Sequence, residues 1–360
     1  MYLIGKTGTG KSTMIANLAR QDIANGEGLA LLDPHGDLVE ELARSVPDVR
    51  KNDLIYFNPT DPASALAFNP LEITPSTSKP LVASGLIAVF KKIWPESWGP
   101  RMEYILRNVL LALLDLSGST LLDVPRLLDD AEFRSYVVAS VQNPAVRRFW
   151  LREYQKFPAN FRAEAISPIQ NKIGEFLVNP LLRRIVGQPR SSFDLRQVMD
   201  EGKILLVNLA KGKIGEDTAA LLGAMLVTKF SLAALSRGDI AEGDRRDFYL
   251  YIDEFPSFAT ASFTGMLSEM RKYRLNLVLA HQYMAQVDET VRDAILGNAG
   301  TLVVFRTGLN DALILEKEFY PEFTAHDLVN LPNYHVYLKL MIDGIVSKPF
   351  SARTLSSLTK

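Results

Sequence analysis

The N-terminal part of the chain combines short apolar runs with segments of helical spacing. Continuous apolar residues over 1–4, 29–32 and 54–57 predict three short buried strands. Between the first two strands, apolar residues recur at helical spacing over residues 13–25, and a shorter helix is predicted from Leu38 to Arg44. Strands that alternate with helices in this way are typical of a parallel sheet built from βαβ units.

Prolines interrupt this alternation between Asn58 and Pro80. Because proline disfavours helix interiors and central strands, we interpret these residues as a connector that leaves the sheet. From residue 81 to about 190, the apolar positions follow only helical spacing. Further prolines separate the predicted helices from one another, at Pro95, Pro125, Pro144 and Pro180.

The alternation of strands and helices resumes at residue 203. Apolar runs predict strands over residues 204–209, 248–252, 275–280 and 302–305. Helical spacing predicts helices over residues 218–235, 263–273 and 289–296. The first of these helices carries few charges and is therefore expected to be buried. Residues 334–341 and 345–350 are expected to pair as a hairpin over Asp343-Gly344, a common two-residue turn.

These segments together predict an α/β fold. The core contains a mostly parallel sheet formed by residues 1–78 and 191–350, and an all-α domain over residues 79–190 is inserted into it. Residues 351–360 are polar and are expected to form a loose tail. The length of 360 residues agrees with a core that carries an insertion.

The composition is that of an ordinary globular protein. Hydrophobic residues make up 47% of the chain, and 40 Lys/Arg against 41 Asp/Glu give a net charge of −1. This balance excludes a disordered chain and a uniformly basic, histone-like binder. The absence of cysteine excludes disulfides and Cys-based metal sites. No apolar run approaches the ~20 residues of a membrane span, so the chain is expected to be soluble and cytoplasmic.

Positive charge is concentrated in the predicted insertion. Residues 91–190 contain 15 Lys/Arg and 10 Asp/Glu, whereas the segments on either side are net acidic. The arginines lie in two groups, Arg147, Arg148 and Arg152, and Arg183, Arg184 and Arg190. Two interpretations stay open: a solvated helix face with extended arginine side chains, or a surface that binds nucleic acid or an acidic partner.

A phosphate-binding motif stands near the N-terminus. Gly5-Lys6-Thr7-Gly8-Thr9-Gly10-Lys11-Ser12 matches G-x-x-x-x-G-K-[ST] in full, between a predicted strand and a predicted helix, and Thr13 follows it. The glycines let backbone N–H groups point at phosphate oxygens, and the helix N-terminus adds partial positive charge. Lys11 is predicted to bridge the β- and γ-phosphates of ATP, and the Ser12 hydroxyl to bind Mg²⁺.

Polar side chains follow two later strands. Asp253 and Glu254 come directly after residues 248–252, and ligands in α/β sheets collect at the carboxyl ends of strands. Asp253 is predicted to complete the Mg²⁺ site, and Glu254 to polarise the water that attacks the γ-phosphate. Gln282 follows the next strand and is predicted to face the γ-phosphate if the two strands are neighbours. His281, before it, is interpreted as a structural residue or as one that supports the residues of the site.

An arginine near the γ-phosphate would stabilise the charge that develops there, and it often comes from a neighbouring subunit. Arg271 is the first candidate, followed by Arg274 and then Arg306. Asp33, at the end of a predicted strand, is a candidate outer-shell group. Four dispersed histidines disfavour a dedicated transition-metal site.

These motifs stand in a specific order. After the P-loop come LLDPHGDLVEEL, FNPLE and an insertion that ends in NPLLRRIVGQPRSSFDLRQVMDEGKILLVNLAKGKIGEDTAALLGAML, and then YLYIDEFPSF, LSEMRKYRLNLVLAHQY and NAGTLVVFRTGLNDA. In this order and spacing, nearly the whole chain resembles conjugative coupling proteins of the TraG/TraD type, a branch of the FtsK/HerA superfamily of DNA-pumping ATPases.

The resemblance implies a RecA-like P-loop NTPase core with an inserted all-α domain, and a homo-hexameric ring with ATP at the subunit interfaces. DNA, single- or double-stranded, is implied to pass through the central channel. Lys11, Ser12, Asp253, Glu254 and Gln282 keep the roles given above, and Arg271 matches the arginine presented across the interface. The basic insertion is implied to face substrate or partners, such as a relaxase or secretion-channel proteins.

Membrane-anchored coupling proteins carry spanning helices ahead of the P-loop, whereas four residues precede Gly5 here. The expectation is therefore a soluble relative, or a chain without its natural N-terminal part. Contact with the inner membrane would then be made through partners or through that missing part.

Three functions follow from these observations. The leading hypothesis is an ATP-driven motor that moves DNA through a ring. The second is a secretion or pilus-assembly ATPase, whose core motifs are nearly the same. The third is a nucleotide-gated assembly module with little hydrolysis, against which Glu254 and Gln282 argue.

Overall fold

The computed structural model describes residues 1–61, 66–74, 77–260 and 263–356. Its strands are β1 (Tyr2–Ile4), β2 (Gly28–Asp33), β3 (Leu54–Phe57), β4 (Ile204–Asn208), β5 (Phe248–Ile252), β6 (Leu275–His281), β7 (Leu302–Val304), β8 (His335–Lys339), β9 (Met341–Ile342), β10 (Ile345–Val346) and β11 (Phe350–Arg353).

Its α-helices are α1 (Lys11–Ala24), α2 (Asp37–Ser45), α3 (Lys79–Ile93), α4 (Pro100–Leu114), α5 (Asp123–Asp129), α6 (Ala131–Ser140), α7 (Pro144–Arg148), α8 (Ala159–Leu177), α9 (Pro180–Val186), α10 (Leu195–Asp200), α11 (Lys211–Ile214), α12 (Glu216–Ser236), α13 (Phe263–Glu269), α14 (Glu289–Asn298), α15 (Leu309–Phe319) and α16 (Ala325–Asn330).

The main sheet contains nine strands in the described residues, in the order β11-β8-β7-β1-β6-β5-β2-β4-β3. Neighbouring strands are parallel except in the two pairs that include β8. Every residue of β2 and β4 is buried, as expected for parallel strands that are covered on both faces. The prediction of an α/β fold with a mostly parallel sheet is confirmed.

One face of this sheet is covered by the two N-terminal helices. Ile15 and Ala19 of α1 and Leu42 of α2 pack with sheet residues such as Leu31 and Leu206 in one apolar cluster. Ile15 and Ala19 are four residues apart, so they lie on the same side of α1. The packing holds α1 against the sheet, and residues 5–10 connect it to β1.

The chain divides into two compact units. The first contains Met1–Phe57, Gln197–Ala210 and the residues from Arg237 onward, and the second contains Asn58–Arg196 and Lys211–Ser236. The first unit holds the main sheet, and the second is helical. These limits differ from the predicted domain limits, because residues 58–78, 191–196 and 211–236 lie in the helical unit, where α12 packs against α3.

The helix α12 is apolar on all sides, and twelve of its residues are buried, which confirms the prediction of a buried helix. Within the described residues, the segment Glu216–Asp239 is long and apolar enough to cross a membrane, with a mean hydropathy of 1.7 over its most apolar window. That window is 67% buried, and core helices of globular proteins meet the same criteria.

The C-terminal strands differ from the predicted hairpin. Asp343-Gly344 does form a turn, but it joins only the short strands β9 and β10. The longer strand β8 pairs instead with β11, from Phe350 opposite Leu338 to Arg353 opposite His335. The prediction that residues 351–353 belong to a loose tail is therefore wrong, because β8 lies beside β7 and takes β11 as its second neighbour. Residues 357–360 of that predicted tail lie outside the described residues.

The predicted connector, residues 58–80, also differs at its end. Helix α3 begins at Lys79, before the predicted limit, with Pro80 in its first turn, where the missing N–H of proline costs nothing. Residues 62–65 and 75–76, which include Pro62 and Pro75, lie outside the described part of the chain.

Candidate functional site

The phosphate-binding motif, residues 5–12, connects β1 to the first turn of α1. Gly8 and Gly10 have φ angles of +77° and +115°, in the left-handed region that favours glycine. The Thr9 hydroxyl donates to the Lys6 carbonyl at 2.7 Å, and the Gly10 carbonyl accepts the Met14 N–H at 3.0 Å. The loop is therefore held by its own hydrogen bonds and by the start of the helix.

The Lys11 side chain folds back across this loop. Its Nζ donates to the Gly5 carbonyl at 2.5 Å and to the Lys6 carbonyl at 3.1 Å, and the residue is only 6% exposed. Burial lowers the pKa of Lys11, and the charges of Asp253 and Glu254 oppose that decrease. The ammonium therefore lies in the loop, within electrostatic reach of both acids.

The strand β6 lies between β1 and β5. Ile4 pairs with His281, and Ile252 pairs with Leu279, so the three strands end at the same edge of the sheet. The role predicted for Gln282 depended on β5 and β6 being neighbours, and the structure meets that condition. The fold brings the P-loop, the acidic pair and Gln282 together, although they are far apart in the chain.

Hydrogen bonds of the Gln282 amide connect these segments directly. Its Oε1 accepts from the Thr7 hydroxyl at 2.8 Å, and its Nε2 donates to Glu254 Oε1 at 2.8 Å. One side chain therefore contacts both the phosphate-binding loop and the acid pair. A shift of Glu254 or of Thr7 therefore changes the hydrogen bonds that the Gln282 amide makes to them.

The two acids are buried at the end of β5, with Asp253 5% exposed and Glu254 8% exposed. Burial raises the pKa of Asp253 to about 7, with further increases from the charges of Asp33 and Glu254 and an opposing effect from Lys11. Glu254 has a φ of +49°, an unusual conformation for a residue with a side chain. Such strain is typical of functional sites.

Asp33, predicted as an outer-shell group, lies beside this pair on β2. Its carboxylate accepts hydrogen bonds from the backbone N–H groups of His35 at 2.8 Å, Leu38 at 2.9 Å and Val39 at 3.2 Å. It therefore caps the start of α2, and its negative charge acts on Asp253 at the same time.

The raised pKa of Asp253 predicts a pH-dependent stability. Between the ordinary aspartate pKa near 3.8 and the folded-state value of about 7, the folded protein holds one more proton than the unfolded chain, so its stability falls as the pH rises. In buffer without Mg²⁺ or nucleotide, Asp253→Asn should match the wild type near pH 4 and be more stable by up to ~4 kcal/mol above pH 7.

Denaturant unfolding at several pH values measures this difference. Asp343→Asn, in an exposed turn that accepts Asn-Gly as readily as Asp-Gly, is the control and should show no such change with pH. An Asp253→Asn difference that stays constant from pH 4 to pH 8 would contradict the assignment.

The turn after β6, which holds Gln282, is anchored by side chains that the sequence did not single out. Gln286 Oε1 accepts from the backbone N–H groups of Gln282 and Tyr283, both at 3.2 Å. The buried Asp311 accepts from the Met284 N–H at 3.2 Å. The sequence carried no signal for either contact, because a capping box begins with Ser, Thr, Asp or Asn rather than with Tyr283, and Asp311 comes from a distant helix.

His281 is fully buried, in agreement with its interpretation as a structural residue. Its Nε2 lies 2.5 Å from the Tyr2 hydroxyl, and burial is the main cause that lowers its pKa to about 3. The imidazole is therefore neutral and joins β6 to β1.

The three candidate arginines occupy different places. Arg271 is exposed and precedes β6, so it lies ~20 Å from Gln282 at the other end of that strand. Arg274 pairs with Asp247 at 3.2 Å. Arg306 lies beside the P-loop of its own chain, where its side chain donates to Asn333 at 2.8 Å. Arg271 is therefore distant from the phosphate-binding site of its own chain.

The residues at this edge fit a magnesium ion. Ser12 is exposed in the first turn of α1, and Thr13 follows it. Asp253 offers a buried carboxylate whose charge acts on Lys11, the residue before Ser12. Mg²⁺ is commonly held by one or two protein oxygens together with phosphate oxygens and water, so this pair suffices. Within the described residues, no three His, Cys, Asp or Glu side chains gather into a separate metal cluster.

Residues 1–313 match the sequence model of a family described as the type IV secretion-system coupling protein DNA-binding domain. No curated protein matches the chain significantly by sequence.

Solved structures show the same fold. The plasmid coupling protein TrwB in complex with the non-hydrolysable ATP analogue ADPNP aligns with a TM-score of 0.68 and 18% identity, over 99% of this chain and 84% of that one. TrwB in complex with ADP and Mg²⁺ gives the same TM-score and identity, over 99% and 85%. VirB4 of Thermoanaerobacter pseudethanolicus aligns with a TM-score of 0.62 and 15% identity, over 99% and 89%. The RecA-like P-loop core predicted from the sequence is confirmed.

Proposed function

The chain belongs to the family of the type IV secretion-system coupling protein DNA-binding domain, and on this basis we propose that it is an ATP-driven motor that moves DNA. The proposal assigns ATP as substrate and Mg²⁺ as cofactor. It is supported by the P-loop geometry and by the TrwB complexes, whose ligands are ADPNP in one case and ADP with Mg²⁺ in another.

The observation that carries the proposal is the double hydrogen bond of Gln282. The amide joins Thr7 in the phosphate-binding loop to Glu254 on β5, at 2.8 Å on each side. A triphosphate cradled by residues 5–13 would place its γ-phosphate between these groups. A passive nucleotide-binding loop has no need of a buried acid there, whereas hydrolysis requires a base beside the attacked phosphorus.

Each residue then has a role in hydrolysis. Glu254 orients and deprotonates the attacking water, and Gln282 hydrogen-bonds the water and a γ-phosphate oxygen. The Lys11 ammonium exchanges its loop carbonyls for β- and γ-phosphate oxygens and stabilises the charge that develops there. Ser12 and Asp253 would hold Mg²⁺, which neutralises charge on the β- and γ-oxygens when it is bound.

Assembly completes the site in this proposal. Arg271 is exposed and distant from the site of its own chain, so we assign it to the γ-phosphate of a neighbouring subunit in a homo-hexameric ring. The helical residues of the predicted insertion, 79–190, have a separate role in this proposal, which is to contact substrate or partners. Their exposed arginines, Arg147, Arg148 and Arg152, would face DNA, a relaxase or secretion-channel proteins at the cytoplasmic side of the inner membrane.

An ATPase assay with and without DNA tests the motor. We expect hydrolysis that requires Mg²⁺ and rises several-fold with single- or double-stranded DNA, together with a mass of about six chains when an ATP analogue is present. Hydrolysis without any response to DNA would favour a secretion or pilus-assembly ATPase. Assembly with a turnover equal to that of Lys11→Ala would favour a nucleotide-gated assembly module.

A further inference from the structure

The position of the acid pair sets the direction of a bound nucleotide. Glu254 and Gln282 follow β5 and β6, on one side of the P-loop strand β1 in the sheet order. A γ-phosphate that faces these residues leaves the nucleoside to extend from the other side of the loop. That side is formed by β7, β8 and β11 and by the segments that adjoin them.

Tyr334 stands on this side, directly before β8. Its backbone N–H donates to the carbonyl of Thr9 in the P-loop at 2.8 Å. Its ring lies against Gly10, because a Cβ built on that glycine would come within 2.8 Å of the Tyr334 ring atom Cδ1. The side chain nevertheless remains 45% exposed. The tyrosine ring is thus partly accessible to solvent next to the phosphate-binding loop.

The conformation of Tyr334 is held in place. Its φ is +63°, a left-handed value that costs energy for a residue with a large side chain. The backbone N–H and the side-chain hydroxyl of Thr354 both donate to the Tyr334 carbonyl, at 2.8 Å and 3.2 Å. Together with the bond to Thr9, these contacts maintain a strained residue that leaves its ring at the surface.

A second exposed apolar residue adjoins the segment that is bonded to Tyr334. Leu355 follows Thr354 and is 59% exposed. The Asn17 amide on α1 donates to the carbonyls of Leu355 at 3.4 Å and Ser356 at 3.1 Å, which fixes this segment along the helix. Tyr334 therefore lies at Gly10, where α1 begins, and Leu355 lies along the same helix at Asn17.

We propose that Tyr334, with Leu355, forms the subsite for the nucleoside base, with the tyrosine ring against the face of a purine. The inference rests on the proposed function, because it requires a triphosphate in the P-loop. The chemistry is stacking on an aromatic face and contact with an aliphatic one, which a flat heterocycle satisfies and an inorganic phosphate chain does not. Tyr334 is thus a binding residue outside the phosphate-binding motif.

Comparison of ATP with inorganic tripolyphosphate separates base contacts from phosphate contacts. Isothermal titration in the presence of Mg²⁺ gives the Kd of each ligand. For Tyr334→Ala we expect ATP binding to weaken by about 5- to 100-fold, the range typical of one lost base–aromatic stack. The Kd for tripolyphosphate should stay within about twofold of the wild-type value, and Tyr334→Phe should retain wild-type binding of both ligands.

Two further variants sharpen the test. Leu355→Ser should weaken ATP by a smaller factor and leave tripolyphosphate unchanged. Tyr136→Ala, at a 62% exposed tyrosine of the helical unit, is the matched control and should change neither. An equal loss of both ligands in Tyr334→Ala would show that the ring only supports the loop, and unchanged ATP binding would place the base elsewhere. Either result overturns this inference alone, whereas a wild-type chain that binds neither ligand overturns the proposed function with it.

Discussion

Lys11→Ala is expected to abolish ATP hydrolysis and to weaken ATP binding by at least ~10²-fold. The Nζ lies 2.5 Å from the Gly5 carbonyl and 3.1 Å from the Lys6 carbonyl, so its donors already stand where the loop would hold phosphate oxygens. Hydrogen bonds from a charged donor contribute ~1.5–3 kcal/mol each, and alanine removes all of them together with the charge.

Isothermal titration and a phosphate-release assay measure the two effects. Lys11→Arg keeps the charge, but its larger, planar head does not fit the same loop and should restore little activity. Lys348→Ala, at an exposed lysine near the β9–β10 turn, is the control and should behave as wild type. Because Lys11 is buried and burial lowers its pKa, Lys11→Ala should fold normally without nucleotide. Hydrolysis near the wild-type rate in Lys11→Ala would contradict the assignment.

Glu254→Gln is expected to bind ATP with near wild-type affinity and to lose ~10²- to 10⁴-fold in turnover, the range that a general base contributes. The amide keeps an Oε1 that can still accept from Gln282 Nε2, which is 2.8 Å from the carboxylate in the native site. It cannot accept the proton of the attacking water. The substitution therefore separates binding from chemistry.

Single-turnover hydrolysis and equilibrium binding on the same protein samples provide the measurement. Glu175→Gln, at an exposed position on α8, is the matched control. Glu254→Asp should recover only part of the rate, because the shorter side chain draws the carboxylate away from Gln282. If Glu254→Gln hydrolysed ATP at the wild-type rate, another group would have to act as the base.

The sequence predicted what depends on local chemistry. The glycines, lysine and serine of residues 5–12 specify a loop between a strand and a helix, and the structure has that loop between β1 and α1. The uniformly apolar α12 was predicted to be buried because such a helix has no polar face to expose. Both features depend on residues that are close together in the chain.

The contacts across the sheet were beyond reach of such patterns. Periodicity identifies a strand but not its neighbours, so the place of β1 between β6 and β7 did not follow from it. The bond of Thr7 to Gln282 spans 275 positions. Tyr334 and Gly10, which also contact each other, are likewise at opposite ends of the chain. Only the conditional statement about Gln282 was available, and it depended on β5 and β6 being neighbours.

Short elements near the C-terminus were also missed. Helix α16 has six residues, fewer than two turns, which is too short for a periodic signal. Helix α15 exposes Leu309 and Leu313, which blurs the separation of its apolar and polar sides. The partner of β8 was misassigned because the Asp343-Gly344 turn favoured a local pairing over the one with β11.

The strand β6 has a mechanical consequence for the ring that we propose. It has seven residues and is paired with β1 on one side and β5 on the other, so a displacement of one end would be transmitted along the strand to the other end. Arg271 stands ahead of one end and Gln282 behind the other. The two ends of one strand would then adjoin two ATP sites, one in its own subunit and one in the neighbouring subunit. Loss of the γ-phosphate at one site would then displace the arginine at the other site. Subunits around the ring would hydrolyse ATP in succession rather than independently.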